Sequence, residues 1–276
     1  MKTFVKSSVL LLALIILAIS ANAQNVLDGV YIKEHTPERK VIPYSYLREA
    51  DVMWSKRMWR RVDMREKINL VFYYPDQKIA NRRSLTQVIW DGITIDGTIT
   101  PYMDDEFKKA LTKAEVEGMF AKTDTTYVDE LGDGNLVAKI ITDKFEPSKV
   151  KKFRIKEDWF FDKQRSVMDV RILGIAPEVT LTDDNGNEKG SLVFWIYYPE
   201  ARYVFANAEV FNRQNDGERR TFQDIFWKRM FNSYIYKEQN VYDRQIKEYK
   251  NGKDALLEAD RVKNDLFDME HDLWEF

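Results

Sequence analysis

Carboxylates are the most abundant candidates for chemistry in this 276-residue sequence, which contains 45 Asp and Glu residues. A convergent pair of carboxylates is what glycoside hydrolysis requires. Two short groups could supply such a pair: Asp104, Asp105 and Glu106, and further along the chain Glu157 and Asp158. Acids in the first turn of a predicted helix have a structural role, because they offset the helix dipole. The second group alternates with aromatic residues on a predicted strand, so both groups favour structure over a hydrolase.

Other reactive side chains do not form a recognisable catalytic or metal-binding motif. The two histidines, His35 and His271, lie near opposite ends of the chain, and cysteine is absent. This excludes thiolate chemistry and argues against a zinc site or a histidine-based nucleophile relay. The segment DDNGNE (183–188) has no glycine at the sixth position of a calcium loop and Phe194 at the twelfth, so it predicts a turn, as does GDGN (132–135). We therefore expect a protein that is not an enzyme and has no cofactor or metal.

The N-terminus has the features of an export signal. Lys2 and Lys6 precede the apolar run Val9–Ile19, and Ala21-Asn22-Ala23 fits the small-residue site of signal peptidase. The run is too short to span a bilayer, which takes about 20 residues. We expect residues 1–23 to be a signal peptide and the exported protein to begin at Gln24. Gln24 is not a cysteine, which would have allowed lipid attachment, so we expect a soluble exported protein.

Composition indicates which partners are plausible. The net charge is −2, and loss of Lys2 and Lys6 makes it −4, which gives no electrostatic reason to bind nucleic acid. Aromatic residues make up 13% of the chain, with seven tryptophans. Protein interfaces favour aromatic residues and arginine.

Two segments, MWSKRMWRR (53–61) and FWKRMF (226–231), combine these residue types on predicted helices. In the alternative, one face of each helix is core and the basic face is solvated. The candidate interface residues are Trp54, Arg57, Trp59, Arg60, Arg61, Trp227, Arg229 and Phe231.

Hydrophobic periodicity predicts an α+β fold with a mixed or antiparallel β core and flanking helices. Ser84 and Gln87 form a predicted capping box at the start of one helix. The predicted helices lie in 45–64, 81–92, 103–120, 221–236, 239–250 and 254–276, and the predicted strands in 68–75, 135–142, 150–161, 166–177 and 191–199. The last helix should carry one apolar face, opposite its acids, formed by Leu256, Leu257, Val262, Leu266, Met269 and Leu273. The corresponding regions are an extended N-terminal segment (24–44), a core domain (45–236) and a C-terminal helical segment (237–276).

An internal similarity suggests an ancient duplication. NRRSLTQVIW (81–90) matches ERRTFQDIFW (218–227), and each copy follows a similar apolar stretch, LVFYYPD (70–76) or LVFWIYYPE (192–200). The hypothesis is that two related αβ units, about 31–93 and 154–230, pack together. Coincidence between common strand and helix-cap patterns remains the alternative.

Long aromatic-rich strings carry a resemblance to a known family. VYIKEHTPERKVIPYSYLREADVMW (30–54), KFRIKEDWFFDKQRSVMDVRILGIAPE (152–178) and WIYYPEARYVFANAEVFN (195–212) resemble the GldN/PorN proteins of gliding motility and type IX secretion. The resemblance covers nearly the whole exported chain and is clearest over 26–231. It implies a non-enzymatic periplasmic ring subunit that assembles with an outer-membrane lipoprotein (GldK/PorK) and meets the periplasmic part of a motor protein (GldM/PorM) in Bacteroidetes-type bacteria.

The resemblance also explains Gln24. In such a pair the lipid can be on the partner, so the ring subunit needs none, and attachment then depends on buried contact area. The family supplies no interface residue that can be placed on this sequence. The alternative function is a monomeric periplasmic binding or scaffold protein, which native size distinguishes from a ring subunit.

Overall fold

An antiparallel sheet forms the centre of the computed structural model, which describes residues 39–79, 82–120, 122–128, 137–143, 146–182, 188–212, 215 and 217–272. These residues belong to one compact unit, Pro37–Phe276. Eleven strands occur within them. In chain order they are β1 Val52–Asp63, β2 Pro101–Tyr102, β3 Lys122–Val128, β4 Val137–Asp143, β5 Lys152–Asp162, β6 Val167–Thr182, β7 Glu188–Val193, β8 Trp195–Tyr197, β9 Glu209–Val210, β10 Arg220–Thr221 and β11 Tyr234–Glu238.

The main sheet has the strand order β11-β1-β5-β6-β8-β2, and β7 also pairs with β6. Every pair in it is antiparallel. Strands β1 and β5 pair from Asp63 opposite Lys152 to Val52 opposite Asp162, with one shift of register between Val52 and Trp54. Strands β3 and β4 form a separate two-stranded sheet, as do β9 and β10.

Six helices accompany these strands in the described part of the chain. They are α1 Leu70–Tyr73, α2 Leu85–Thr94, α3 Lys113–Phe120, α4 Tyr198–Ala206, α5 Phe222–Trp227 and α6 Lys253–Asp272. The predicted capping box is confirmed: Ser84 accepts from the Gln87 backbone and the Gln87 side chain accepts from the Ser84 backbone. Thr221 and Asp224 form a second capping box at α5.

Apolar side chains fix the helices to one face of the sheet. Phe153 and Ile155 of β5 lie in the largest core cluster together with Val62 of β1. Within this cluster the Phe72 ring of α1 stacks 5.3 Å from Phe226 and 6.2 Å from Phe222 of α5, measured between ring centres. Burial of these aromatic rings holds α1 and α5 together against the sheet.

The C-terminal helix α6 packs on the same face. Ala259, Val262 and Leu266 are spaced three and four residues apart, which places them on one side of the helix, and they bury against Met58 and Ile235. Met58 and Val62 lie four positions apart on β1, so both point to the helix-covered face. Trp59 points to the opposite face, where it clusters with Ala176 and Trp195.

The predicted helix over 45–64 is wrong, because most of this segment forms β1. Trp54, Met58 and Val62 recur every four residues, and that spacing fits one side of a helix and one face of a strand equally well. Pairing with β5 and β11 decides the matter.

Three other predicted elements differ from the structure. The predicted strand over 68–75 is wrong, because this segment contains the short helix α1, in which Phe72 is buried. The predicted helix over 103–120 is helical only in α3, and 239–250 contains only a 3-10 turn at Ile246–Glu248. The predicted helix over 221–236 ends at Trp227, since Arg229 has a φ of 52°, a left-handed conformation that ends a right-handed helix.

The α+β class and the long strands are confirmed. The last helix is also present, but Leu256 and Leu257, which were assigned to its apolar face, are exposed. The predicted signal peptide, His35, Leu273 and the predicted turns at 132–135 and 183–187 lie outside the described residues.

The predicted duplication stays a hypothesis. The two matching segments both begin a helix with a capping box, at Ser84 and at Thr221. The stretches before them differ: LVFY (70–73) is helical in α1, whereas the Leu192–Val193 pair belongs to β7.

Replacing Phe72 tests the aromatic contact between α1 and α5. Phe72→Ala should lower the free energy of unfolding by about 3–5 kcal/mol, because it removes a buried ring and leaves a cavity. Urea denaturation followed by circular dichroism measures this. The matched control is Tyr46→Ala, at a side chain that is 85% exposed, which should change stability by less than about 0.5 kcal/mol. Equal effects of the two changes would contradict the assigned core.

Candidate protein interface

Five of the eight candidate interface residues lie on β1, and the register divides them between the two faces of the sheet. Trp54 and Arg60 are on the face covered by helices, like Met58. Arg57, Trp59 and Arg61 are on the opposite face, called here the polar face. The predicted single basic helix surface therefore does not exist.

Trp59 is buried within the polar face. Its indole Nε1 donates to Asp105 Oδ2 at 2.9 Å, and Lys237 Nζ lies 4.4 Å from the ring centre. Lys156, its neighbour on β5, is also buried, with Nζ 3.4 Å from Asp105 Oδ2. Burial lowers the pKa of Lys156, and the Asp105 carboxylate opposes that shift. Trp59 therefore anchors the loop that carries Asp105 to the sheet.

Arg61 belongs to an ion-pair network on the same face. Its Nε lies 3.0 Å from Glu178 Oε2, and Arg154 Nη2 lies 2.7 Å from Glu178 Oε1. Both guanidinium groups lie over the ring of Tyr236, at 5.0 and 5.8 Å. Burial raises the pKa of Tyr236 and opposes the ionisation of Glu178, but the hydrogen bond from Arg154 and the charges of both arginines keep the pKa of Glu178 below its ordinary value.

The remaining β1 candidates also make contacts within the chain. Arg57 binds Asp158 through two hydrogen bonds of 2.6 and 2.9 Å and is partly exposed. Arg60 is buried, and its Nε donates to Ser233 Oγ at 2.8 Å. Trp54 packs against the α6 cluster. These contacts give all five residues a structural role.

Arg229 pairs with a fully buried acid. Its Nη2 lies 3.0 and 3.1 Å from the two carboxylate oxygens of Glu157, and Trp159 Nε1 donates to Glu157 Oε2 at 3.1 Å. The guanidinium carbon of Arg229 lies 5.4 Å from the Trp159 ring and 5.5 Å from the Phe231 ring. Phe231 packs against Phe226 in the core.

Trp227 is the most exposed of the candidate residues, with 44% of its surface accessible. Its ring stacks on Tyr44 with 5.4 Å between ring centres, and Arg202 lies 4.0 Å from the Tyr44 ring. Tyr44 belongs to residues 39–48, which we call the N-terminal strap. Because Arg202 is buried and also lies 5.2 Å from Trp227, it joins the strap to α5.

Arginines fasten the strap along its length. Arg202 Nη2 donates to the Ile42 carbonyl and Arg171 Nη2 to the Ser45 carbonyl, each at 2.6 Å. At the start of the strap, the Arg39 guanidinium forms an ion pair with the Asp224 carboxylate, with 3.2 Å between Nη1 and Oδ2. The strap is therefore a fixed part of the surface.

Two surface grooves are formed largely by residues that the sequence did not indicate, although Trp227 and Arg229 line the first of them. The first, called the edge groove, has a volume of about 570 Å³ and runs between β6, the strap and α5. The second, called the apolar groove, has a volume of about 600 Å³. It is lined by Lys67, Ile68, Leu70, Val71, Tyr74, Phe211, Asn212, Arg220, Ile225 and Met230. The sequence assigned 68–75 to a strand, which hid the apolar groove.

Most of the carboxylates considered for chemistry are paired with basic side chains. Asp105 lies beside Lys156, Glu157 beside Arg229 and Asp158 beside Arg57. Among the residues that the structure describes, no group of three or more His, Asp or Glu side chains could hold a metal ion. His271 lies in the last turn of α6. The arrangement provides rigid surfaces with exposed aromatic and aliphatic side chains.

The Glu157 pair gives a prediction on stability. Arg229→Met should lower the free energy of unfolding by about 3–5 kcal/mol, because it leaves a buried carboxylate without its cation. The double variant Arg229→Met/Glu157→Gln should recover part of this loss in urea denaturation. A double variant less stable than Arg229→Met alone would contradict the pairing.

Glu178 gives a prediction on pH. Since its pKa is lowered on folding, its contribution to stability is present above the ordinary value of 4.5 and is lost as the pH falls through the folded-state pKa. The Tm of the wild-type protein should therefore fall more between pH 6 and pH 3 than that of Glu178→Gln. Differential scanning calorimetry at several pH values measures this, and parallel curves would exclude the effect.

Comparison with known families places the chain. The family model described as "Gliding motility associated protein GldN" matches residues 47–275, from the strap through α6. A search of curated proteins gave no match. The match covers most of the sequence and confirms the family that the aromatic-rich strings suggested. The chain belongs to the GldN family of gliding motility associated proteins.

Proposed function

We propose that this protein is a non-enzymatic ring subunit of the type IX secretion and gliding machinery, located in the periplasm. The observation that carries the proposal is the GldN family match over residues 47–275. In the proposal the subunit assembles with a GldK/PorK-type outer-membrane lipoprotein and contacts the periplasmic part of a GldM/PorM-type motor protein.

The apolar groove supports a role in assembly. Ile68, Tyr74 and Phe211 at its rim are 51%, 53% and 49% exposed, and Met230 lies beside them. Large side chains gathered at one exposed site are typical of protein contact surfaces. Arg82 stacks on the outer side of Phe211, with 5.2 Å from the guanidinium carbon to the ring centre.

The polar side chains support a non-enzymatic role. Buried charges that could have acted as acids or bases are engaged in ion pairs that join elements of the fold. Glu157 connects β5 to the segment after α5 through Arg229, and Glu178 connects β6 to β1 and β5. Removing one partner of a buried ion pair is strongly destabilising, so these charges are needed to hold the fold together.

The proposed location rests on the N-terminal sequence. Cleavage after Ala23 would release a chain that begins with Gln24 and has no cysteine for a lipid. None of the described helices is long and apolar enough to cross a membrane. Attachment to the outer membrane would then come from contact with the lipoprotein, and stable interfaces of this kind bury about 2,000 Å² or more.

Purification from the native envelope tests the proposal. A tagged chain should begin at Gln24 by mass spectrometry, elute at very high mass together with a lipoprotein, and be required for protein secretion and colony spreading. Elution at the mass of one chain, with secretion unchanged after gene deletion, would instead support a monomeric binding or scaffold protein.

A double variant tests the apolar groove. Tyr74→Glu/Phe211→Glu should reduce recovery of the lipoprotein or motor partner at least tenfold, because the charges would have to be desolvated in the interface. The control Tyr203→Glu/Tyr242→Glu places the same two charges on exposed tyrosines that do not line the groove. Equal recovery with both variants, each folded by circular dichroism, would remove the groove from the interface.

A further inference from the structure

The first half of β6 is an open strand edge. On the side away from β5, β6 pairs with β8 at Gly174–Ile175 and with β7 at Glu178–Thr182. After β8 the chain continues into helix α4. In the described part of the structure, no strand pairs with residues 167–173 on the side of β6 away from β5. We propose that this edge binds an extended segment of a partner protein of the assembly as an added strand. This inference rests on the proposed function.

The edge groove runs along this part of β6. Its wall includes Val167, Met168, Asp169 and Val170, which follow one another in the chain, and then Ile172. Successive residues of a strand point to opposite faces of the sheet. A cavity lined by consecutive residues must therefore lie along the edge of the strand, where the main chain is accessible.

One hydrogen bond shows which backbone groups face the groove. The Val170 N–H donates to the Asp169 carboxylate Oδ1 at 2.8 Å, so it is not used for pairing with β5. Alternate residues of a strand direct N–H and C=O to the same side. Met168, Val170 and Ile172 therefore present their backbone donors and acceptors to the groove.

Asp169 protects the edge in the free protein. Its carboxylate occupies the Val170 N–H and lies 3.2 Å from Arg165 Nη2. Proteins commonly protect open strand edges with charged side chains, because an unpaired edge binds other chains. A partner strand would displace this carboxylate, which stays paired with Arg165.

The residues that line the edge groove favour a single extended chain as its occupant. Trp227 and Tyr44 face the edge across the groove, and Arg171 holds the strap beyond the edge through the Ser45 carbonyl. Because the strap lies beside the edge, a groove of about 570 Å³ suits one extended segment better than the paired sheet edge of a second copy. An aliphatic side chain on that segment would pack against the exposed face of Trp227. Main-chain hydrogen bonds would provide affinity and this contact would provide specificity, as in other cases of strand addition.

A proline at the edge tests the proposal. Val170→Pro removes the outward N–H, and proline is tolerated on an edge strand when its N–H side faces solvent. Val170→Ala is the matched control, because it shortens the same side chain and keeps the N–H. Tagged variants are purified from the native envelope, and the partner proteins recovered per chain are measured by quantitative mass spectrometry.

We expect Val170→Pro to lose at least tenfold of one partner, Val170→Ala to lose less than threefold, and Asp169→Ala to retain or gain that partner. If Val170→Pro does not fold by circular dichroism, Val167→Lys replaces it, because a charge at the exposed start of the edge should give the same loss.

The possible results separate the two proposals. If the wild-type chain recovers no partner, the proposed function fails. If it recovers partners and the folded edge variants recover them equally, the function stands and the strand addition is wrong. If the purified chain alone self-associates, and Val170→Pro abolishes this, the occupant is a second copy and our choice of a partner protein is overturned.

Discussion

The antiparallel pairing of β1, β5 and β6 is the constraint on which the rest of the structure depends. These three strands pair over nearly their whole common length, so the position of each side chain on one fixes its neighbours on the others. Helices cover one face through apolar contacts, centred on Phe153 and Met58. On the polar face, charged side chains that reach across the strands accompany the smaller apolar cluster of Trp59, Ala176 and Trp195. A shift of register by one residue would move both sets to the wrong face.

The polar face shows how a chain without cysteine joins its strands by charge. Glu178 receives one arginine from β1 and another from β5, so a single carboxylate connects all three central strands. Such pairs require desolvation, and they stabilise only when the geometry satisfies both partners. Tyr236 contributes by covering both guanidinium groups with its ring. The aromatic content that suggested an interface is thus partly used inside the molecule.

Local chemistry predicted some elements correctly because their signals are short-range. The Ser84 capping box depends on neighbouring residues and could be read from the sequence. The same holds for strands β5 and β6, which are rich in aromatic and β-branched residues. Strand β1 could not be read in this way, because apolar residues spaced four apart fit both a helix and a strand. Only the pairing with β5 distinguishes the two. The structural roles of the candidate interface residues could not be read from the sequence for a related reason: Arg229 and Trp59 bind Glu157 and Asp105, which are 72 and 46 residues away. The grooves are formed by tertiary packing, which no local pattern encodes.

Two of the hydrogen bonds that hold the strap are made to its backbone carbonyls and do not depend on the side chain at those positions. Arg202 and Arg171 bind the carbonyl oxygens of Ile42 and Ser45, and every residue has a carbonyl. Tyr44 makes its contact through a specific side chain, between Arg202 and Trp227, and Arg39 does so through its ion pair with Asp224. Outward side chains such as those of Ile42 and Tyr46 can therefore change without altering the path of the strap, and each change would present a different surface along the same track.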